Sequence, residues 1–308
     1  MMKKLPLLAA LSAVAALFAA PTTAQTYSNS WGGGSDWNGG GSCASGVESS
    51  GDFNRARSLQ VVGLTSDNRL VCFNEFLPQE ARVINFVTNL SGGDTFLIGI
   101  DFRVQDRLLY GVGNAGGVYV IDTFNGVARL VNRLSIVLDG STSYGVDFNP
   151  AADRLRITSS KGQNLRHNVN AGGVTVVDGA LNYMPGVTAM GIVGSAYTNN
   201  DLSALTSTTL YAFDSLLDQI AIQSPPNNGT LAGTGKLTVD ATAVAGFDIY
   251  SKIRDGVTIE VQSLASFTAA DGSNALYSVR LGQGNASLRG KFSAQFTVID
   301  IAIPLNQL

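Results

Sequence analysis

The fold is decided by residues 144–183, which read YGVDFNPAADRLRITSSKGQNLRHNVNAGGVTVVDGALNY. Four short apolar or alternating runs in this stretch predict β-strands, at 145–148, 154–158, 165–169 and 174–177. The turns between them are Asn-Pro, Lys-Gly-Gln-Asn and Gly-Gly, residue types that tight turns require. Four short strands cannot bury both faces of a sheet alone, so a repeated unit of this kind predicts a stacked or circular array.

The first strand of the unit carries a signature, Gly-hydrophobe-Asp-aromatic, that recurs along the chain. Its copies are 99–102 (GIDF), 145–148 (GVDF), a degraded copy at 194–197 (GSAY), 246–249 (GFDI) and 298–301 (VIDI). The third positions are separated by 46, 49, 52 and 52 residues. This period is typical of a four-stranded propeller blade and is too long for leucine-rich or ankyrin repeats.

The two ends of the repeat region complement each other. The last signature, within 296–303, has no strands after it, and the predicted strands 59–64, 69–73 and 81–87 have no signature before them. Joining the C-terminal strand to these three completes one blade and removes two exposed sheet edges. The sequence therefore predicts an all-β propeller of five four-stranded blades closed by the C-terminal strand, with an open or six-bladed arrangement as the alternative.

The composition agrees with an exported all-β protein. Of 308 residues, 45% are hydrophobic, only 14% are charged and 35 are glycine, which suits many short strands with tight turns. Residues 1–24 have the basic start, apolar segment and small-residue cleavage site of a signal peptide. Residues 25–56, rich in Gly and Ser with Trp31 and Trp37, are predicted to be a flexible arm. Residues 57–308 form the predicted propeller domain.

Charge restricts the partners. Removal of Lys3 and Lys4 with the signal takes the formal net charge from −3 to −5, so neither nucleic acid nor anionic lipid is expected as a partner. No transmembrane segment is expected after processing. We expect a bacterial protein that is secreted to the periplasm or the exterior and that binds a protein or glycan at the cell surface.

Cys43 and Cys72 remain after processing, and an oxidising compartment favours their pairing. A bridge between them would close a loop of roughly 30 residues, worth about 3–4 kcal/mol in the chain-entropy model. Free thiols are the alternative.

Two strings indicate a family. Residues 149–156 (NPAADRLR) continuing through 162–166 (GQNLR), and 209–211 (TLY) followed by 223–231 (QSPPNNGTL), resemble the bacterial secreted domain-of-unknown-function 4394 family. The likeness extends over about residues 59–303. It implies an exported propeller-like domain and carries no established activity or catalytic residues. His167 and Asn170 depart from the family pattern, which has an aliphatic residue and an aspartate there.

The recurring aspartates are the first candidate site. Equivalent positions in a ring converge on its axis, so Asp101, Asp147, Asp248 and Asp300 could surround one channel mouth and hold a hard cation such as Ca²⁺. The alternative is that each carboxylate accepts backbone N–H bonds and fixes the blade geometry. Ala196, at the fifth position, interrupts the ring of carboxylates.

A polar turn in the third repeat is the second candidate site. Arg154 and Arg156 share a strand face by alternation, and Arg166, Gln163 and Asn164 lie close in sequence. Together they could bind a carboxylate or an acidic sugar. The alternative is pairing of the arginines with Asp153, Asp178 or carbonyls of a neighbouring blade.

Conventional catalytic groups are few. His167 is the only histidine, and a zinc or copper site, a Ser-His-Asp triad and a Cys-His pair each need more than this one residue can offer. No catalytic residue is therefore assigned and no cofactor is predicted, with Ca²⁺ as a possibility. The favoured function is a secreted, non-enzymatic binding or structural propeller of the cell envelope or matrix. The alternatives are a calcium-dependent lactonase or lyase that uses the axial carboxylates, and a fibre component that self-associates through the arm.

Overall fold

Twenty of the twenty-two β-strands build five antiparallel four-stranded sheets in the computed structural model, which describes residues 58–308. Each sheet is one blade. Blade 1 consists of β22 (Val298–Ala302), β1 (Gln60–Thr65), β2 (Arg69–Asn74) and β3 (Arg82–Phe86). Blade 2 consists of β4 (Leu97–Phe102), β5 (Leu109–Gly113), β6 (Gly117–Ile121) and β7 (Ala128–Arg133).

The decisive stretch of the sequence forms blade 3. Its strands are β8 (Tyr144–Asn149), β9 (Arg154–Ser159), β10 (Asn164–His167) and β11 (Thr175–Val177). Blade 4 consists of β14 (Ile192–Tyr197), β15 (Leu210–Asp214), β16 (Gln219–Gln223) and β17 (Leu231–Lys236). Blade 5 consists of β18 (Ala241–Arg254), β19 (Val257–Ala269), β20 (Asn274–Val279) and β21 (Ala286–Lys291).

The only helical segments among the described residues are two short 3₁₀ turns that lie between strands. They are Pro78–Glu80, between β2 and β3, and Pro226–Asn228, between β16 and β17. A small separate hairpin, β12 (Asn182–Met184) with β13 (Val187–Thr188), lies in the connection from blade 3 to blade 4.

The first strand of each blade lies innermost. These inner strands contact one another in the order β22, β4, β8, β14, β18 and again β22, so the ring is closed. The C-terminal strand completes blade 1 by pairing with β1, with Val62 opposite Ala302 and Leu64 opposite Asp300. The predicted five-bladed propeller, closed by the C-terminal strand, is confirmed.

The apolar core is divided into five layers. Four of them contain many large side chains, and each of these four lies between two neighbouring blades. The layer at the start of blade 4 is much smaller and includes Leu181 and Ala189 from the connection after blade 3. The space between blades 3 and 4 is instead filled largely by polar side chains, described below.

Two features exceed what the repeat predicts. The signature covers only residues 246–249, but β18 and β19 pair from Ala241 opposite Ala269 to Arg254 opposite Val257, with irregularities between Ala241 and Ala245 and between Lys252 and Ile253. Their alternating residues continue up to the turn Asp255-Gly256, where both residues have positive φ (54° and 79°), as a tight hairpin turn requires. The β12–β13 hairpin was not predicted, because two strands of three and two residues leave almost no periodic signal.

Candidate functional site

The signature glycines show why the inner strands can form so narrow a ring. A Cβ placed on Gly99 would lie 2.5 Å from Val146 Cγ2, and one placed on Gly145 would lie 2.5 Å from Ser195 N. A Cβ on Gly194 would lie 2.8 Å from Phe247 Cβ. Each glycine therefore faces the next inner strand at a distance that no larger residue fits. Two residues further along, the aspartates reach the same crowded axis.

Each of the four aspartates accepts a hydrogen bond from the backbone of a neighbouring inner strand or the residues directly after it. The acceptor oxygens and donors are Asp101 Oδ2 with Phe148 N (2.7 Å), Asp147 Oδ1 with Tyr197 N (3.0 Å), Asp248 Oδ2 with Ile303 N (2.5 Å) and Asp300 Oδ2 with Ile100 N (2.8 Å). The carboxylates therefore join the blades to one another, which is the structural role that the sequence left open.

Three of these carboxylates also accept a bond within their own strand. The donors are Phe102 N to Asp101 Oδ1 (2.7 Å), Ile249 N to Asp248 Oδ1 (2.5 Å) and Ile301 N to Asp300 Oδ1 (3.0 Å). Both oxygens of these three side chains are thus engaged by backbone amides. The fifth position, Ala196, has no carboxylate, so no equivalent bond joins β14 to β18.

Burial raises the pKa of every axial carboxyl. The pKa of Asp101 and that of Asp147 are raised well above the usual range, first by loss of hydration and then by the neighbouring negative charges. Burial likewise raises the pKa of Asp300 well above its usual value, and that of Asp248 to about 6. The axial cluster therefore binds protons more tightly than free aspartates do.

The same cluster has the composition of a cation site. Asp101, Asp147 and Asp248 each offer a carboxylate oxygen, and these oxygens lie within 4.8 Å of one another. A buried acidic triad of this kind could hold a metal ion. Asp300 is turned towards the amides of β4 and of its own strand and is not part of the triad.

The second candidate site separates into a buried group and two outlying residues. Arg156 is almost completely buried between blades 3 and 4. Its guanidinium donates to Asn164 Oδ1 (2.7 Å) and Asp178 Oδ2 (2.6 Å). It also donates to Tyr197 Oη (3.2 Å) and Asn227 Oδ1 (3.0 Å). All of these partners are in the protein, so Arg156 acts as the centre of a polar layer between two blades.

Arg166 and Asn164 belong to the same layer. Arg166 donates from Nε to Asp178 Oδ2 (2.6 Å) and from Nη2 to Asp178 Oδ1 (2.9 Å). Asn164 Nδ2 donates to the carbonyls of Gly179 (2.9 Å) and Pro226 (3.0 Å). The pairing of the arginines with Asp178, one of the two interpretations of the sequence, is the arrangement that the structure has.

Arg154 and Gln163 lie outside this layer. Arg154 donates to the carbonyls of Ala152 (3.2 Å) and Asp153 (2.7 Å). Gln163 Nε2 donates to the carbonyl of Val137 (2.9 Å) at the opposite end of the blade. The five predicted binding residues are therefore not brought to one surface.

The layer also contains residues that sequence reasoning did not select. Asn227 and Gln223 come from the second family string, and they meet the first string here. Gln223 Nε2 donates to Pro226 O (2.7 Å) and to Asn164 Oδ1 (3.3 Å). The sequence did offer one signal for this contact: the two strings that indicate the family are both polar and specific, and such strings often meet in space even when they are far apart in sequence.

His167 lies in the interior of the fold and is bonded to other side chains of the protein. It is fully buried, with Nδ1 3.0 Å from Thr175 Oγ1 and Nε2 2.9 Å from Asn132 Oδ1. Burial, followed by the charge of Arg154, lowers the pKa of His167 to about 4, so the imidazole is neutral at physiological pH.

Of the predicted cysteine pair, Cys72 lies buried in β2. Cys43 is outside the described residues, as are the predicted signal peptide and the arm with Trp31 and Trp37. The disulfide, the signal and the arm stay predictions. The described residues include no helix that is long and apolar enough to cross a membrane.

Comparison with solved structures gives distant likenesses. An auxiliary nutrient-binding protein from Bacteroides ovatus aligns at 13% identity and a TM-score of 0.39, over 68% of this chain and 56% of that protein. A protein of unknown function from Bacteroides thetaiotaomicron aligns at 14% identity and a TM-score of 0.43, over 81% of this chain and 68% of that protein. PorZ, a surface component of the type-IX secretion system of Porphyromonas gingivalis, aligns at 15% identity and a TM-score of 0.35, over 75% of this chain and 28% of that protein.

At such identities and TM-scores these likenesses identify neither a ligand nor an activity. The chain spans only 56% of the length of the first of these proteins, the nutrient-binding protein. A search of curated proteins gives no match. The sequence profile of one family, a domain of unknown function designated DUF4394, matches residues 69–302. This match covers most of the chain and every strand of the five blades except β1, and the chain therefore belongs to the DUF4394 family.

Proposed function

We propose that this protein is an exported, non-enzymatic propeller that binds a protein or glycan at the cell envelope or in the surrounding matrix. The proposal is carried by one departure from the repeat. The β18–β19 hairpin extends beyond blade 5, and the long connection 198–209 of blade 4 lies beside it. Both segments follow an inner strand, so they share one end of the ring, which we call the ribbon end.

The two segments are braced together by polar contacts. Asp201 Oδ2 accepts bonds from Thr258 N (2.9 Å) and Thr258 Oγ1 (2.7 Å). Asn200 donates from N to Ser251 Oγ (2.9 Å) and from Nδ2 to Ile249 O (3.1 Å). These contacts fix the positions of the two segments, although neither segment is needed to close the ring.

The ribbon end displays apolar side chains. Leu205 is 96% exposed, and Leu202, Val257 and Ile259 are also exposed. Apolar residues on a braced, protruding segment are typical of a binding surface, since they lower solubility and do not stabilise the fold. The axial carboxylates and the Arg156 layer also support the proposal, because both oxygens of Asp101, Asp248 and Asp300 and the guanidinium of Arg156 are already hydrogen-bonded within the protein.

Binding to intact cells tests the proposal. The mature chain, labelled with a fluorophore, should bind its own source cells saturably and be displaced by unlabelled protein. Leu205→Asp combined with Ile259→Asp should abolish the binding, while Leu288→Asp, at a site on β21 that is about as exposed as Ile259, should leave it unchanged. Equal binding by both variants would rule out the ribbon end as the binding surface.

The alternative is a calcium-dependent enzyme of the lactonase or lyase type centred on the axial carboxylates. The observation that favours it is the close approach of Asp101, Asp147 and Asp248. A bound cation would neutralise three buried negative charges that otherwise repel one another. Against it stands the engagement of both oxygens of Asp101 and Asp248 by backbone amides.

Thermal unfolding separates these two proposals. A stabilisation of several degrees by Ca²⁺ relative to EDTA, lost in the double variant Asp147→Asn, Asp248→Asn, would favour the enzyme, since a ligand of the native state stabilises it by mass action. We expect no calcium effect on the native chain.

A further inference from the structure

The base of the hairpin at the ribbon end is hydrogen-bonded to blade 1 on both of its strands. Residues 250–262 of β18 and β19, which we call the ribbon, extend past the third strand of the sheet, because β20 pairs with β19 only from Leu264 to Thr268. Tyr250 and Gln262 lie opposite each other at the base of the ribbon. Their side chains lead by two different routes to the same place in blade 1.

Tyr250 is bonded to the segment that follows the closing strand β22. Its buried hydroxyl accepts the backbone amides of Gln307 (2.9 Å) and Leu308 (2.8 Å). The side chain of Gln307 reaches the start of β1, where Oε1 accepts Gln60 N (2.8 Å) and Nε2 donates to Gln60 O (2.9 Å). The ladder between β1 and β22 ends at Val62. Beyond that end, the Gln307 carboxamide exchanges two bonds with Gln60 as a peptide group of a paired strand does.

Gln262 reaches the residue before β1 through a buried carboxylate. Gln262 Nε2 donates to Glu75 Oε2, while Glu75 Oε1 accepts Leu59 N (3.0 Å). Arg289 Nη2, which lies 3.6 Å from Glu75 Oε2, supplies the opposite charge. Because Glu75 is almost completely buried, both of its hydrogen bonds are shielded from water. Leu59 and Gln60 are consecutive, so the two routes from the ribbon meet at adjacent residues of blade 1.

The two routes close a circuit of hydrogen bonds across the boundary between blades 5 and 1. Its members, in order, are Tyr250, Gln307, Gln60, Leu59, Glu75 and Gln262, and the last returns to Tyr250 by strand pairing. The four-stranded plan of a blade does not require this circuit, since Gln307 follows β22 and Glu75 follows β2. Bonds in a connected polar network support one another, so the loss of one member weakens the rest.

We propose that the circuit is a positioning device, in which Gln307 and Glu75 hold the base of the ribbon in one orientation and Gln307 does so only while β22 closes the ring. Gln307 follows β22 closely in the chain. Detachment of β22 therefore withdraws the carboxamide of Gln307 from Gln60 and its amide from Tyr250. The ribbon is then held by Glu75 and by Asp201 of blade 4, which leave its base free to turn.

The inference rests on the proposed function and adds a means of regulating it. A partner that binds the ribbon in the orientation fixed by the circuit also favours the closed ring. Closure of the ring in turn favours binding, because the coupling between two equilibria is reciprocal. Ring closure and the presentation of the binding surface are thereby linked.

Hydrogen exchange of the backbone amides of the mature chain tests the proposal without a ligand. In Gln307→Ala, the amides of residues 251–262 should exchange at least roughly tenfold faster than in the native chain, since several hydrogen bonds at the base are lost together. The amides of β9, in blade 3, should exchange at the native rate. Gln295→Ala is the matched control, because Gln295 is an exposed glutamine shortly before β22, and it should leave the ribbon unchanged.

A second variant keeps the test open if Gln307→Ala does not fold. Gln307→Glu keeps the acceptor for Gln60 N and loses the bond donated to Gln60 O, and it should accelerate exchange of the same ribbon amides.

The reverse experiment changes the ribbon and observes blade 1. Gln262→Met keeps the length of the side chain and removes the donor to Glu75, so the amides of Leu59 and Gln60 should exchange at least roughly tenfold faster. Asp201→Ala removes the brace to blade 4. It should accelerate exchange at Thr258 and leave Leu59 and Gln60 unchanged.

Two results overturn the proposal. One is unchanged exchange of the ribbon in Gln307→Ala or, where that variant does not fold, in Gln307→Glu. The other is equal acceleration in all five blades, because it would assign Gln307 a contribution to overall stability alone. Neither result depends on binding to cells, which the combined Leu205→Asp, Ile259→Asp variant tests separately. Failure of the proposed function therefore leaves the outcome of the exchange experiment unaffected.

Discussion

Asp300 Oδ2 accepts a hydrogen bond from Ile100 N at 2.8 Å, which joins the inner strands of blades 1 and 2 across 200 residues of sequence. Asp300 Oδ1 accepts from Ile301 N at the same time. In Asp300→Ala, two buried amides lose their acceptor, and each such loss costs about 1–3 kcal/mol. Urea denaturation should show an unfolding free energy lower by about 2–5 kcal/mol. Asp240→Ala, which removes an exposed carboxylate, should change it by less than about 0.5 kcal/mol.

The axial carboxyls should make the protein less stable as the pH rises through the acidic range. A folded-state pKa above the unfolded value means that the native state binds protons more tightly. The stabilisation is therefore complete below the unfolded pKa near 3.8 and is lost as the pH rises through the folded value, about 6 for Asp248. The melting temperature should fall between about pH 4 and pH 6, and the fall should be smaller in Asp248→Asn. A melting temperature that rises throughout this range would contradict the assignment.

The polar layer between blades 3 and 4 should depend on the planar guanidinium of Arg156. Arg156→Lys keeps the charge but cannot reach four acceptors on two blades at once. Arg156→Met leaves Asp178 buried with only Arg166 as its partner, and breaking a buried pair costs about 3–5 kcal/mol. We expect Arg156→Met to destabilise by about that amount and Arg156→Lys by less. Arg154→Lys and Arg154→Met are the matched controls and should be close to neutral in urea denaturation.

The narrow ring should not tolerate a methyl group on its inner strands. Gly145→Ala places a Cβ 2.5 Å from Ser195 N, a backbone atom that cannot rotate away. Overpacking of this kind costs about 1–3 kcal/mol or more. Gly282→Ala meets no atom within 4 Å and should be neutral or slightly stabilising. Equal melting temperatures for the two variants would show that the inner strands separate easily.

The predicted pairing of Cys43 and Cys72 can be checked by mass spectrometry of the chain purified from its source organism, after alkylation without reductant. We expect no alkylated cysteine before reduction and two after it. Alkylation of both cysteines in the unreduced chain would establish free thiols.

The sequence was most informative about the repeat. The Gly-hydrophobe-Asp pattern, with its imperfect copies at 194–197 and 298–301, located all five inner strands. In most blades a glycine lies where the strands crowd and an aspartate accepts the amide of the neighbouring strand; Val298 replaces the glycine in blade 1, and Ala196 replaces the aspartate in blade 4. Closure by the last strand followed from the complementary ends of the repeat. The β12–β13 hairpin and the extension of β18 and β19 could not be located in this way, because nothing in the repeat corresponds to them.

The candidate sites were predicted less well, for a physical reason. Arg156 and Asn164 were selected because polar residues of their kind bind anions. Whether they face a ligand or another blade depends on Asp178 and Asn227, and only the folded ring brings those residues within reach. The sequence placed the axial aspartates at equivalent positions of the repeat and left open whether their oxygens are occupied by amides.

Closure of the ring by β22 has a consequence for how the chain folds. Blades 2 to 5 can each form from neighbouring sequence, but blade 1 waits for a strand at the far end of the chain, and contacts between distant residues form slowly. Until β22 arrives, β1 has an open edge, and the apolar faces of blades 2 and 5 that will enclose blade 1 remain in water. A chain in this unfinished state is the species most prone to aggregation, so the step to protect during folding is the delivery of the final strand.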